Sequence, residues 1–474
     1  MISILVIGSA CGEKSKPKPY IPPEVDLTDI QEPQKIPSID ERLNELSQGL
    51  QVATIQCPEK LWPGFNFANL KLVVTQVHHE SAWEWEAGDS GQREFSEIDF
   101  HSLPQSWKNA YFLMDKDEEI GKYILVLSLP KTSLPNLDYK SRELPEYLVG
   151  LGIHEGFHLI EQENWVIEST TKRSTQYPLD ATPRFLRYMM NTSLSESLAG
   201  NAEKLSEARY WYDRYESEFP EEANSIRFYD KIEGSARYVE HMANAIVHLG
   251  CDASDDELFS WSFQKFYSRS RPELKADIES YRIGSKASLL LRQSEKHSGW
   301  ENIISETTSS QLDLLLEDIV PKVAEDDISL FKEVNEMIDY KNSELKALID
   351  PWLEARSSNE FYSVLISGEM MGSFNVSDFI ILKDGGHQLR LNFSARFIGK
   401  QNQGDIKVTS MIAEAIDNRE NPCGIEGVRL FLPSTWFESI LTGASLNVYV
   451  NEFEANEVSF NFARGDDGKG WICL

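Results

Sequence analysis

The chain has 474 residues, too many for one ordinary domain, so two or three folding units are expected. Its composition, 41% hydrophobic and 26% charged, is that of a globular protein. With 76 acidic against 46 basic side chains the net charge is −30, which excludes the basic footprint that nucleic-acid binding needs.

Residues 1–11 form a short apolar run, Ile2 through Ile7, that ends in Gly8, Ser9, Ala10 and Cys11. This segment resembles the signal peptide of a bacterial lipoprotein, in which cleavage leaves the cysteine as a lipidated N-terminus. A buried strand is the alternative reading of the same residues. No Lys or Arg precedes the run, and Gly8 stands where Leu is usual. Residues 12–38 are polar and proline-rich, as in a flexible tether. The resemblance implies a location in the bacterial cell envelope, the membrane being reached only through a lipid at Cys11. No other stretch is long and apolar enough to span a bilayer.

From 39 to 51 apolar residues recur at helical spacing, with Asp40 placed to cap. Leu61 to Phe65, holding Pro63 and Gly64, reads as a turn into a β-branched strand over 70–77. His78 and His79 follow it as strand-end polar residues rather than ligands. A second strand covers 122–131 and is closed by Pro130. At a sheet edge it would accept an extended peptide by β-augmentation; inside a sheet it would not.

Residues 145–355 have a helical pattern, with Pro321 as a break and Asp350-Pro351 as its end. Within it, His154-Glu155-Gly156-Phe157-His158 sets two histidines four apart, on one helix face. That spacing lets both imidazoles reach a single Zn²⁺, with Glu155 beside them as general base. Leu148, Leu151, Phe157 and Leu159 supply the apolar flanks of a helix buried beneath an active site. Two imidazoles leave a catalytic zinc short of one protein ligand.

The stretch Ile232-Glu233-Gly234-Ser235-Ala236-Arg237-Tyr238-Val239-Glu240 resembles the Glu-Gly-x-Ala-x-Tyr-x-Glu signature on the second helix of gluzincin metallopeptidases. The resemblance implies that Glu233 is the third metal ligand. Gly234, lacking a side chain, would let two helices approach closely. Glu240, two turns on, either orients a histidine or is a surface carboxylate. Tyr281-Arg282-Ile283-Gly284 opens a stretch, ending Leu289-Leu290-Leu291, similar to the Tyr-x-x-Gly helix of aminopeptidases in that clan. There the tyrosine hydroxyl donates to the oxyanion, so Tyr281 is the candidate donor here; a core tyrosine is the alternative. His158 and Glu233 are farther apart than in familiar aminopeptidases, and no Gly-x-Met-Glu-Asn motif points to a free amino terminus. The resemblance covers roughly 60–350 and implies hydrolysis of a peptide or protein substrate.

After 357 short runs at 361–366, 379–382, 389–397, 428–432, 445–450 and 458–463 are separated by Gly, Asn and Asp. The texture is that of a sandwich or small barrel. Trp436 and Trp471 are isolated and read as packing residues, not a carbohydrate platform. Four cysteines follow Cys11, an even number that permits disulfides in an oxidising compartment, and Cys423 with Cys473 is the candidate pair. The expected class is α+β. A mainly helical zincin-like region with a small N-terminal sheet spans 39–355, and an all-β, sandwich-like region spans 356–474. The competing function is a non-catalytic surface lipoprotein binding module on a peptidase-like scaffold.

Overall fold

Helix α1 (Ile39–Gln51) buries Leu43, Leu46 and Leu50 along one face. Asp40 lies inside its first turn, against the positive end of the helix dipole, and not at the cap. The computed structural model describes residues 38–67, 70–76, 79–87, 93–104, 107–108, 112–117, 122–129, 144–167, 174–267, 272–294, 297–398, 404–437, 445–450, 452–465 and 468–474. Of these, residues 39–474 belong to one unit. The expected signal segment with Cys11, nearly all of the tether, His78 and Pro130 lie outside the described residues.

Five strands follow: β1 (Leu70–Gln76), β2 (Ser81–Ala87), β3 (Arg93–Ile98), β4 (Phe112–Asp117) and β5 (Lys122–Ser128), in the order β3-β2-β1-β5-β4. β1 and β5 are parallel, from Leu70 opposite Tyr123 to Thr75 opposite Ser128; the other neighbours are antiparallel. Leu72, Val73 and Val74 of β1 and Leu125, Val126 and Leu127 of β5 are all buried. Such unbroken apolar runs belong to strands covered on both faces. β5 pairs with β1 on one side and β4 on the other, so it is internal and the edge reading of 122–131 does not hold. Among the described residues the open edge beside it is β4.

The helices are α2 (Leu144–Ile160), α3 (Ala181–Leu198), α4 (Lys204–Glu218), α5 (Pro220–Leu249), α6 (Asp255–Ser262), α7 (Ala276–Gln293), α8 (Trp300–Glu306), α9 (Gln311–Leu316) and α10 (Ile328–Ser357). α2 lies against β5, with Gly152 next to Leu127. α5 and α7 touch at Gly234 and Gly284: a Cβ on Gly234 would sit 2.5 Å from the Gly284 Cα. Neither position has room for a side chain. Buried ion pairs tie a third helix to this pair. Arg184 and Arg187 of α3 reach Glu279 of α7 at 2.7 and 2.8 Å, and Arg187 reaches Asp230 of α5 at 2.6 Å. Three carboxylate contacts on two buried guanidinium groups fix the mutual register of the helices.

Pro321 lies in the non-helical stretch between α9 and α10, as expected. Pro351 does not end the helical region; α10 runs through it to Ser357. Proline removes one backbone donor there, and burial of Ile349, Trp352 and Ala355 keeps the last turns packed. Position 356 consequently falls within a helix.

The remaining strands are β6 (Thr175–Tyr177), β7 (Phe361–Ser367), β8 (Met371–Asn375), β9 (Asp378–Leu382), β10 (Gln388–Ile398), β11 (Asp405–Ile416), β12 (Gly427–Pro433), β13 (Ser445–Tyr449), β14 (Phe453–Ser459), β15 (Asn461–Arg464) and β16 (Gly470–Cys473). β6, from the helical part of the chain, pairs in parallel with β9 and extends the C-terminal sheet. β11 changes partners along its length. Asp405–Val408 pairs with β14, whereas Glu414–Ile416 pairs with β12. Between them Ser410 has φ +55°, and Asn392 on the facing β10 has φ +47°, where the ladder shifts register. Such bulges bend paired strands around a core, here Phe393, Phe397, Ile406, Val408, Leu430 and Phe453. Trp471 is buried and Trp436 packs at the core margin, both in packing roles. Disulfides join Cys423 to Cys473, the expected pair, and Cys57 to Cys251. The architecture is mixed α+β.

Candidate metal centre

The three helices α2, α5 and α7 meet where their sequences place His154, Glu233 and Tyr281. Gly156 on α2 leaves room for Phe67, because a Cβ there would lie 2.6 Å from that ring. Phe157, fully buried, packs edge-on against Trp62 at 5.0 Å and anchors one flank of the helix beside the histidines.

His154 and His158 present their Nε2 atoms to one another at 3.1 Å. The Oε2 of Glu233 lies 3.5 Å from the first and 3.4 Å from the second. The tautomers follow from the outer contacts. Nδ1–H of His154 donates to Oε2 of Glu240 at 3.1 Å, and Nδ1–H of His158 donates to Oε1 of Gln162 at 2.5 Å. Gln162 is itself oriented by donating to the Ile232 carbonyl at 2.9 Å. With both Nδ1 atoms committed as donors, both Nε2 lone pairs face the Glu233 carboxylate. Three lone-pair donors this close repel one another unless a cation lies among them.

Burial opposes charge on His154, but Glu233 and Glu240 outweigh it and hold its pKa up to about 9. For Glu240, burial is overcome by Arg237 and His154, and the pKa falls to about 2. Arg237 fixes Glu240 by donating to Oε1 at 2.6 Å and lies over the Tyr281 ring at 5.0 Å. Glu155 is buried, and burial raises its pKa, assisted by Glu233 and Glu240 and opposed by the two histidines. A carboxylate made more basic in this way is suited to taking a proton at neutral pH. Tyr281 stacks on His154, ring centres 5.9 Å apart and planes 18° from parallel.

Every residue expected at the site is thus brought together, from three helices. His79 is exposed and elsewhere. Two residues of the centre escaped the sequence reading. Gln162 stands four after His158 and Arg237 three before Glu240, spacings that mark neighbours on a helical turn. Neither carries a signal until its partner's role is known. No family model, no curated protein and no solved structure matches this chain.

Proposed function

We propose that the chain is a zinc-dependent peptidase of gluzincin type, with a zincin-like helical region and a sandwich-like β region. The observation that carries this reading is the triangle of Nε2, Nε2 and Oε2 atoms at 3.1, 3.4 and 3.5 Å. Tetrahedral zinc with bonds of about 2.0–2.1 Å holds its ligands about 3.3 Å apart, so the donor set fits that ion in chemistry and spacing. His154, His158 and Glu233 would hold it. When bound, zinc supplies Lewis acidity, polarising a carbonyl and bringing the pKa of water down to about 7.

The chain's own groups supply the rest. Glu155 takes the proton of the attacking water and passes it to the departing amine. Glu240 and Gln162 keep the two imidazoles in the ligating tautomer. Tyr281, against His154, donates to the oxyanion, a contribution of roughly 3 kcal/mol for such donors. The open edge of β4 offers backbone groups to an extended peptide. Two disulfides support an oxidising compartment, in keeping with export and an anchor at Cys11. No helix among the described residues is long and apolar enough to cross a membrane. A second reading, a binding module, is favoured by a cavity of about 750 Å³ lined by His387, Arg390 and Glu414, away from the metal centre.

Glu155→Gln separates the two. The peptidase reading expects zinc retained and hydrolysis of a denatured protein reduced by roughly 10²–10⁴-fold. Undiminished hydrolysis would remove Glu155 from the reaction, and a wild type that neither holds zinc nor hydrolyses would favour the binding module.

A further inference from the structure

The cavity of about 750 Å³ opens where the β9–β10 turn, the end of β11 and the start of β12 meet. Its volume is that of a small-molecule site, roughly 300–1,000 Å³. No residue of the candidate metal centre lines it. Arg390 on β10 does, and one terminal nitrogen of its guanidinium is buried without a hydrogen-bond partner. Among the described residues no ion pair holds this side chain; the guanidinium lies instead over the rings of Phe374 and Phe393, at 5.4 and 5.9 Å. Burial lowers its pKa, with no carboxylate to oppose it. The acids around the cavity are engaged elsewhere. Glu414 accepts from Nδ1 of His387 at 2.7 Å and from Nε of Arg429 at 2.8 Å. Asp417 accepts from the backbone N–H and Nε of Arg419 at 2.9 and 3.1 Å. A partly buried guanidinium without a counter-charge is stabilised by an incoming carboxylate, which its planar fork can hold through two N–H···O bonds. The remaining groups are acceptors. With Nδ1 donating, Nε2 of the neutral His387 ring offers a lone pair. Glycine at 385 leaves it uncovered, since a Cβ there would lie 2.8 Å from that atom. Glu426 is exposed at the rim. Acceptors around one cation suit a ligand with hydroxyl donors, and three carboxylates in the lining disfavour a doubly charged anion.

We propose that this cavity binds a hydroxylated monocarboxylate of the sugar-acid type, with Arg390 on the carboxylate and His387 and Glu426 on the hydroxyls. Charge and hydrogen bonds hold the ligand, in keeping with a lining that has no Trp, Tyr or Phe among the described residues. The site is independent of the peptidase reading and gives the β region a binding role of its own.

Calorimetric titration of the full chain with glucuronate, glucose, N-acetyl-alanine and inorganic phosphate tests it. Glucuronate is expected to bind roughly tenfold or more tightly than glucose, which lacks the charge, and than N-acetyl-alanine, which lacks the hydroxyls. Glucuronate that binds no more tightly than any one of the other three would overturn the proposal. Arg390→Gln is expected to lose roughly tenfold or more of the glucuronate affinity, and Arg390→Lys, charged but without the planar fork, most of it. Arg390 also packs on two rings, so a second variant is made on the exposed rim. Glu426→Ala is expected to weaken glucuronate binding roughly several-fold and to melt like the wild type. Full affinity in both Arg390→Gln and Glu426→Ala would overturn the proposal. His154→Ala protein is expected to bind glucuronate as the wild type does, and loss of binding there would contradict the site's independence. A wild type that binds glucuronate selectively yet hydrolyses nothing would sink the peptidase reading and keep this site.

Discussion

Gly284→Ala perturbs the helix contact that sets the spacing of the proposed metal centre. The new Cβ would lie 2.0 Å from the Asp230 carbonyl oxygen and 2.7 Å from the Gly234 Cα. Both are backbone atoms, so no side chain can swing aside, and α5 and α7 must separate by roughly 1 Å or more. Overpacking of this kind costs about 1–3 kcal/mol, which corresponds to a fall of several degrees in melting temperature. Glu233 immediately precedes Gly234. Separation of the helices therefore widens the 3.4 and 3.5 Å gaps between its Oε2 and the two imidazoles. Zinc affinity is expected to fall roughly 10–100-fold, the usual consequence of misplaced metal ligands. Gly152→Ala on α2 is the control: its Cβ would meet only Leu127 Cδ1, at an ordinary 3.5 Å. Alanine there should stabilise the helix by about 0.5–1 kcal/mol. Thermal melts and zinc titrations against a competing chelator distinguish the cases. Gly284→Ala protein that melts and binds zinc like the wild type would refute the reasoning.

Glu240→Ala removes the acceptor of the His154 Nδ1 proton and should weaken zinc binding by roughly 10–100-fold, with Glu240→Gln in between; unchanged affinity in a chelator competition would show that the carboxylate only pairs with Arg237. Replacing Cys57 and Cys251 together by Ser should cost about 2–5 kcal/mol in urea unfolding, since the bond spans 194 residues. Identical unfolding midpoints with and without the bond would contradict this. His241 gives a pH signature. Burial, set against Glu240 and joined by Arg237 and His154, lowers its pKa from 6.5 to about 3. Below its ordinary pKa the unfolded chain takes up a proton that the folded chain refuses. Its stabilising effect is thus whole above pH 6.5 and lost progressively as pH falls toward 3. His241→Gln should flatten that acid limb, as followed by urea midpoints at several pH values, and an equally steep limb would count against the assignment.

The two candidate histidine ligands were legible because helical geometry alone turns the His154–His158 spacing into a shared face. Glu233 and Tyr281 needed the gluzincin resemblance, since nothing in their own surroundings sets one Glu or Tyr apart from the many others. Gly234 was read as a place of close helix approach, but its partner Gly284 shows only when α5 meets α7. The C-terminal strands β7, β9, β10, β12 and β13 lie on short runs set off by Gly, Asn and Asp, whereas the run at 458–463 spans the break between β14 and β15, and no such run marks β8, β16 or β11. Its pattern changes at Ser410, where the bulge turns the second half toward other partners. Whether β5 was an edge could not be told from its own residues, because that depends on β4 pairing beside it. α10 shows the converse: Pro351 reads locally as a stop, and burial of Trp352 and Ala355 carries the helix past it. Cys57 and Cys251 stand 194 residues apart, so only the folded chain reveals that they pair.

The most direct test of the metal centre is the zinc content of the purified full chain, read by mass spectrometry beside His154→Ala and Glu233→Ala. About one zinc per chain is expected in the wild type and little or none in either variant, each lacking one of three ligands. A wild type without zinc, or variants that keep a full equivalent, would contradict the centre built from His154, His158 and Glu233.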